Sequence, residues 1–246
     1  MFNIACVKLG VSRVSGLKHI GIVGVSSPGA ALCYQTICTE SEKLLGERYA
    51  HPEVSMHAFS FSSYMTRIES GDWDGVAELM LASAEKLSKV GAHFVICPDN
   101  TVHRAFDKVA EKSPVPWLHI AEEVANEARR RGFEKLAVLG TRFLMESEVY
   151  PSKLRLYGIR WAIPEVSQRE VVNGIIFSEL VYGVVKPESR EKLVSIVKDM
   201  AQMEGCDAVI LGCTELPLIL DSENSPIPVL DSTRILARAA IKKAVE

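Results

Sequence analysis

The sequence lacks most signatures that would tie a chain to one kind of partner. No apolar run approaches the ~20 residues of a membrane-spanning helix, and the charges are interspersed without long blocks of one sign. A net charge of -3 and a pI near 6.1 give no pull toward nucleic acid or an anionic membrane, so neither is expected as a partner. There is no Gly-x-Gly-x-x-Gly and no Gly-Lys-Thr or Gly-Lys-Ser, which disfavours a nucleotide. The six cysteines show no Cys-x-x-Cys spacing, and His19, His51, His57, His93 and His119 form no ligand spacing. Neither a metal site nor a disulfide framework is therefore expected, and reduced thiols fit a cytoplasmic location. Residues 1–17 contain no acidic residue and precede the first strand signal. They read as an N-terminal extension, whether a terminal arm, an upstream start or a transit-like leader, and no function is placed there.

What is present is a core. At 246 residues and 48% hydrophobic content, the chain suits two domains of about 100 to 150 residues each and a small-molecule partner. Gly205 to Glu215 reads as one buried strand whose end delivers Cys213 to an exposed edge. Gly91 to Thr101 aligns with it without a gap and sets Asp99 opposite Cys213. His19–Gly24 likewise matches Lys135–Gly140, and Ser113–Leu118 matches Ser225–Leu230. Three matched segments in the same order imply an internal duplication. The expected fold is α/β: two similar domains related by a pseudo-two-fold axis, each with a mainly parallel sheet flanked by helices. Residues 18–114 plus 226–246 are expected to form domain 1 and residues 115–225 domain 2, the C-terminal helix returning to pack on domain 1.

The spacing predicts helices over about 30–47, 74–90, 102–111, 145–157, 167–182, 187–203 and 232–245. It predicts strands over 20–24, 54–61 and 159–163 and at the repeated segments. The stretch from Ser62 to Asp74 reads as a polar loop carrying Arg67. In open α/β sheets ligands sit at the carboxyl ends of strands. Asp99 and Cys213 lie at such ends, and a two-fold relation makes them face each other across a cleft. Two facing proton carriers suit racemisation, one removing a proton and the other returning one to the opposite face. Asn100, Thr101, Thr214, Thr141, Ser26 and Ser27 can hold a substrate carboxylate and the developing enolate charge. Arg67 can clamp a distal carboxylate. Glu215 can orient or assist Cys213 or serve only as a cap-region charge, and His103 can polarise the pocket or merely sit behind the loop. A thiol near a helix N-terminus is expected to have a lowered pKa.

Cys97 to His103 (Cys-Pro-Asp-Asn-Thr-Val-His) together with Leu211 to Glu215 (Leu-Gly-Cys-Thr-Glu) resembles the paired motifs of the aspartate/glutamate racemase superfamily. Leu139–Met145, Gly71–Asp74 and Ser225–Asp231 resemble its broad or L-acid-specific amino-acid racemases. The likeness runs from about His19 to the end of the chain. It implies two α/β domains with the active site between them, PLP-independent catalysis by two facing cysteines, no cofactor, and a homodimer. Two features depart from that pattern. The first cysteine is replaced by Asp99, with Cys97 two residues too early and deeper in the strand. The first loop reads Gly24-Val25-Ser26-Ser27-Pro28 in place of Gly-Gly-x-Gly-Pro.

The replacement matters energetically. Reference pKa values of about 3.9 for Asp and about 8.5 for Cys favour Asp⁻ with Cys-SH by roughly 6 kcal/mol over the reversed pair. A racemase runs both ways, so the site must raise Asp99 and lower Cys213. Three readings stay open on sequence. One is a racemase acting on a small acidic amino acid through Asp99 and Cys213. Another is a one-sided decarboxylase or isomerase using Cys213 alone. The last is a non-catalytic protein that binds a small carboxylate.

Overall fold

The computed structural model describes residues 16–246. The expected extension of residues 1–17 lies mostly outside the described residues, as does Cys6. The first half runs β1 (Ile20–Gly24), α1 (Ser27–Leu45), β2 (Val54–Ala58), α2 (Phe61–Ser70), α3 (Trp73–Lys89), β3 (Phe94–Ile96), α4 (Phe106–Lys112) and β4 (Trp117–Leu118). Helix α5 (Ile120–Arg131) leads into β5 (Lys135–Leu139), α6 (Arg142–Met145), α7 (Val149–Leu156), β6 (Arg160–Ala162) and α8 (Val166–Ser178). The chain finishes with α9 (Pro187–Met203), β7 (Ala208–Leu211), β8 (Val229–Asp231) and α10 (Ser232–Val245). Each half forms a four-stranded sheet, in the orders β2-β1-β3-β4 and β6-β5-β7-β8. Every pairing is parallel, and the same order recurs, as a duplication requires. Strands β1, β3 and β7 are buried throughout because helices cover both faces of a parallel sheet.

Helix α2 replaces the expected loop. Phe61, Tyr64, Met65 and Ile68 fall at helical spacing and form an apolar face, which the intervening serines obscure in the sequence. Gly71, with φ of 73°, closes the helix in the left-handed conformation that glycine tolerates. Other expected helices are subdivided. Residues Thr101–Ala105 form a 3₁₀ turn before α4, and Leu180–Tyr182 another after α8. The 145–157 stretch breaks at Ser147, whose hydroxyl donates to the Leu144 carbonyl at 2.7 Å and accepts from the Val149 amide at 3.3 Å.

The domain crossings fall later than expected. Strand β4 pairs with β3 in the first sheet and β8 with β7 in the second. The chain therefore changes domain at α5 and α10, not after residues 114 and 225. The two helices exchange reciprocally. Ala121, Val124, Ala125 and Ala128 of α5 pack with Leu136 and Val138 of the second domain. Leu236, Ala237, Ala240, Ile241 and Ala244 of α10 pack on Ile20, Ile22, Phe94 and Ile96 of the first. The returning helix is thus core, not decoration. Ile241→Ala is expected to cost about 2–5 kcal/mol of stability, read as a lower midpoint in urea unfolding.

Candidate active site

Four loops that follow strands converge between the sheets. Ser26 follows β1, Asp99 and Thr101 follow β3, Thr141 follows β5, and Cys213 and Glu215 follow β7; all six line one cavity. Its free volume is about 30 Å³, room for one or two waters. Two hydroxyl pairs join the domains beside it. Ser26 and Thr214 share a hydrogen bond of 3.0 Å, and Thr101 and Thr141 one of 3.1 Å. The approach is close enough that a Cβ on Gly29 would lie 2.3 Å from the Thr214 methyl. Glycine is therefore required where α1 begins.

Glu215 bears on both Cys213 and Asp99. The Cys213 thiol donates to Glu215 Oε2 at 2.9 Å, and the same oxygen accepts from the Thr214 hydroxyl at 2.8 Å. Burial first, then the neighbouring Glu215 charge and Asp99, push the thiol well above its ordinary value. This reverses the expected lowering: burial and the adjacent Glu215 carboxylate outweigh the Glu215 amide, the one contact that lowers the thiol. Asp99 is raised to about 6, chiefly by burial and further by Glu215, against the Val102 amide that its Oδ1 accepts at 3.3 Å. Its rise is the one that two-way proton transfer needs.

Other expected site residues sit elsewhere. The Asn100 side chain accepts from the Tyr150 hydroxyl at 2.6 Å and donates to Ser232 Oγ at 3.0 Å. It braces β3 against α7 and α10 and does not line the cavity. Thr214 is buried outside the lining, its hydroxyl shared between Ser26 and Glu215, and Ser27 is exposed at the start of α1. His103 donates from Nδ1 to the Asp99 carbonyl at 2.7 Å and accepts the Ile120 amide at Nε2 at 3.4 Å. Burial pushes it down to about 4, so it is a neutral brace behind the loop. Arg67 lies in α2, donates from Nη1 to the Ser63 carbonyl at 3.0 Å and packs over Gly75. It is not among the residues lining the cavity. Cys97 is fully buried in the first domain's core.

Sequence reasoning missed the apolar walls. Phe61, Met65 and Ile68 come from α2 on one side, Phe143, Ile176 and Phe177 from α6 and α8 on the other. The helical spacing of the α2 trio was the available signal. Among the described residues, no three His, Cys, Asp or Glu side chains group as a metal site requires, and no helix is long and apolar enough to cross a membrane.

A duplicated α/β scaffold thus brings a carboxyl and a thiol from equivalent strand ends to one interdomain cavity. The chain belongs to the Asp/Glu/hydantoin racemase family, whose pattern it matches over residues 22–240, and it is an isomerase of the racemase type. It is 28% identical over 172 residues to the broad specificity amino-acid racemase RacX of Bacillus subtilis (strain 168), covering 69% of this chain and 73% of that one. Among solved structures it resembles an aspartate racemase homologue from Pyrococcus horikoshii OT3, with a TM-score of 0.80 and 33% identity over 94% of this chain and 100% of that one. A candidate Asp/Glu racemase from Yersinia pestis gives a TM-score of 0.85 at 30% identity, again covering 94% of this chain and 100% of the other.

The Asp99 shift has a testable sign. A carboxyl whose folded value is about 6, against an ordinary 3.8, contributes stability that is fully present below about pH 4 and lost as the pH rises through 6. Asp99→Asn removes that dependence. Its stability relative to wild type is expected to rise by roughly 2 kcal/mol between pH 4 and pH 7.5, measured by urea unfolding at both values.

Proposed function

We propose that this protein is a cofactor-independent amino-acid racemase in which Asp99 and Cys213 exchange the α-proton of a bound amino acid from opposite faces. The observation that carries the reading is that both groups line the same small cavity at the domain interface. The names of its relatives, a broad specificity amino-acid racemase and an aspartate racemase homologue, support the reaction class.

Near neutral pH the pair starts as carboxylate and thiol. Asp99 removes the α-proton and Cys213 supplies one to the other face. The hydroxyls of Ser26, Thr101 and Thr141 bear on the developing enolate charge. The reverse direction needs a thiolate, which the crowded acids oppose. A substrate ammonium placed beside Glu215 and Asp99 supplies the cation that the cavity lining lacks, and it draws the thiol's proton affinity down when substrate is bound. Glu215, already accepting the thiol hydrogen, holds Cys213 in line with the cavity. The reading keeps a homodimer, on the family resemblance, and a cytoplasmic location, on the unpaired cysteines of the described residues.

One observation favours a second reading. Burial and Glu215 keep the Cys213 thiol protonated, so it rests without a thiolate to act as base, and a one-sided decarboxylase or isomerase needs it only in the protonated form, to deliver a proton to an enolate.

Exchange in D₂O separates these. Wild type is expected to incorporate deuterium at the α-carbon from both enantiomers and to interconvert them. Asp99→Asn and Cys213→Ala should each lower racemisation by about 10²-fold or more, each leaving slow exchange of one enantiomer, opposite for the two variants. If no amino acid in a full panel exchanges while a prochiral malonate yields product of a single hand, the one-sided reading takes its place.

A further inference from the structure

The chemistry of the cavity changes sharply from floor to walls. The floor carries Asp99, Cys213 and Glu215 with three hydroxyls, whereas the walls toward α2 and α8 are made of Phe61, Met65, Ile68, Phe143 and Phe177, with Ile176 and Val181 completing the second side. Among the described residues, no Lys or Arg lines the cavity. Arg67, the cation that sequence placed nearest, does not line the cavity either: its Nη1 donates to the Ser63 carbonyl on its own helix, and its buried Nε, packed over Gly75, finds no partner among the described residues. An outer recess of about 400 Å³ shares Met65, Phe143 and Phe177 with the cavity and is lined also by Glu69 and Arg142. Arg142 does not line the inner cavity.

These observations constrain what side chain a substrate can bear. An α-amino acid sets its ammonium and carboxylate at the reacting carbon, where the floor has carboxyl groups for the first and hydroxyls for the second. Whatever else the molecule carries must leave that carbon toward the walls. A second carboxylate there gives up water for aromatic and aliphatic carbon without a counter-charge, and it adds a further negative charge to a cavity that already holds two carboxyl groups. An apolar side chain in the same place removes both its own surface and that of the walls from water. The walls also come from both domains. Phe143, of the second domain, packs with the first domain's core cluster alongside Phe61 and Met65. The cavity as it stands holds only about 30 Å³, so a substrate side chain enters by parting these residues and is then enclosed by them.

We propose that the substrate is a neutral amino acid with an apolar side chain, of the methionine, leucine or phenylalanine kind, seated between α2 and α8, in place of the acidic amino acid expected from the sequence. This assignment rests on the reading of the cavity as an amino-acid site and deepens it.

The test measures α-proton exchange in D₂O and, separately, thermal stabilisation, with both enantiomers of Met, Leu, Phe, Asp and Glu. The expected result is exchange of Met, Leu or Phe with kcat/KM at least about 100-fold above Asp and Glu, and stabilisation by the same apolar ligands. Phe177→Arg, which places a cation in the wall, should shift the ratio toward Glu by tenfold or more, and Val181→Arg serves if that variant does not fold. Asp or Glu exchanging as fast as the apolar set overturns the apolar assignment and leaves the racemase intact. Apolar ligands that stabilise without exchange, while Asp and Glu do neither, support the assignment and remove the racemase. If none of the ligands binds or exchanges, both fall.

Discussion

The distance between the two domains is set by a pair of hydroxyl contacts, Ser26 to Thr214 and Thr101 to Thr141, and the chemistry of the site depends on that distance. Each joins a loop after a strand of one sheet to a loop after a strand of the other. They hold the turn bearing Asp99 and the turn bearing Cys213 against one narrow cavity. Gly29 is part of the same constraint, since a side chain there would strike Thr214. Behind these contacts, Asn100 is locked by Tyr150 and Ser232, and His103 by the Asp99 carbonyl and the Ile120 amide. The loops are thus braced by buried polar groups with their partners satisfied, which is how a short segment can be held without regular secondary structure.

Crowding of acids is the electrostatic counterpart of that closeness. Desolvation alone raises the proton affinity of both Asp99 and Cys213, and Glu215 raises each further. For Asp99 this narrows the gap of roughly 6 kcal/mol that separates an aspartate from a cysteine; for Cys213 it widens it. The resting site is therefore biased toward carboxylate and thiol. In the proposed reaction, reversibility comes from a cation that arrives with the substrate, because none of the described residues lining the cavity is a Lys or Arg.

Helix exchange explains how two short sheets become one stable unit. Each sheet has only four strands of two to five residues, a modest framework on its own. By sending α5 and α10 across to the other domain, the chain buries alanine-rich faces where the domains meet. The linkage leaves the strand ends, where the site lies, free to be shaped by loops.

The duplication was legible in the sequence because strand ends repeat in pattern without a gap: Gly91–Thr101 against Gly205–Glu215, His19–Gly24 against Lys135–Gly140. Buried parallel strands are short apolar runs, and such runs survive in sequence as recognisable copies. Asp99 and Cys213 were singled out by that alignment alone, and α9 and α10 by plain helical period and a starting Pro or Ser. Helix α2 was not legible, since its apolar face of Phe61, Met65 and Ile68 is interleaved with serines. The apolar walls and the idle position of Arg67 were hidden with it. Sequence by itself determined the two-fold plan and the mismatch of Asp99 against Cys213 at corresponding strand ends, because both are local patterns repeated along one chain. Only the tertiary structure decided the direction of the Cys213 shift, the bracing roles of Asn100 and His103, and the absence of Lys and Arg from the cavity lining among the described residues. Those depend on which groups from distant segments are desolvated together, and no spacing along the chain records that.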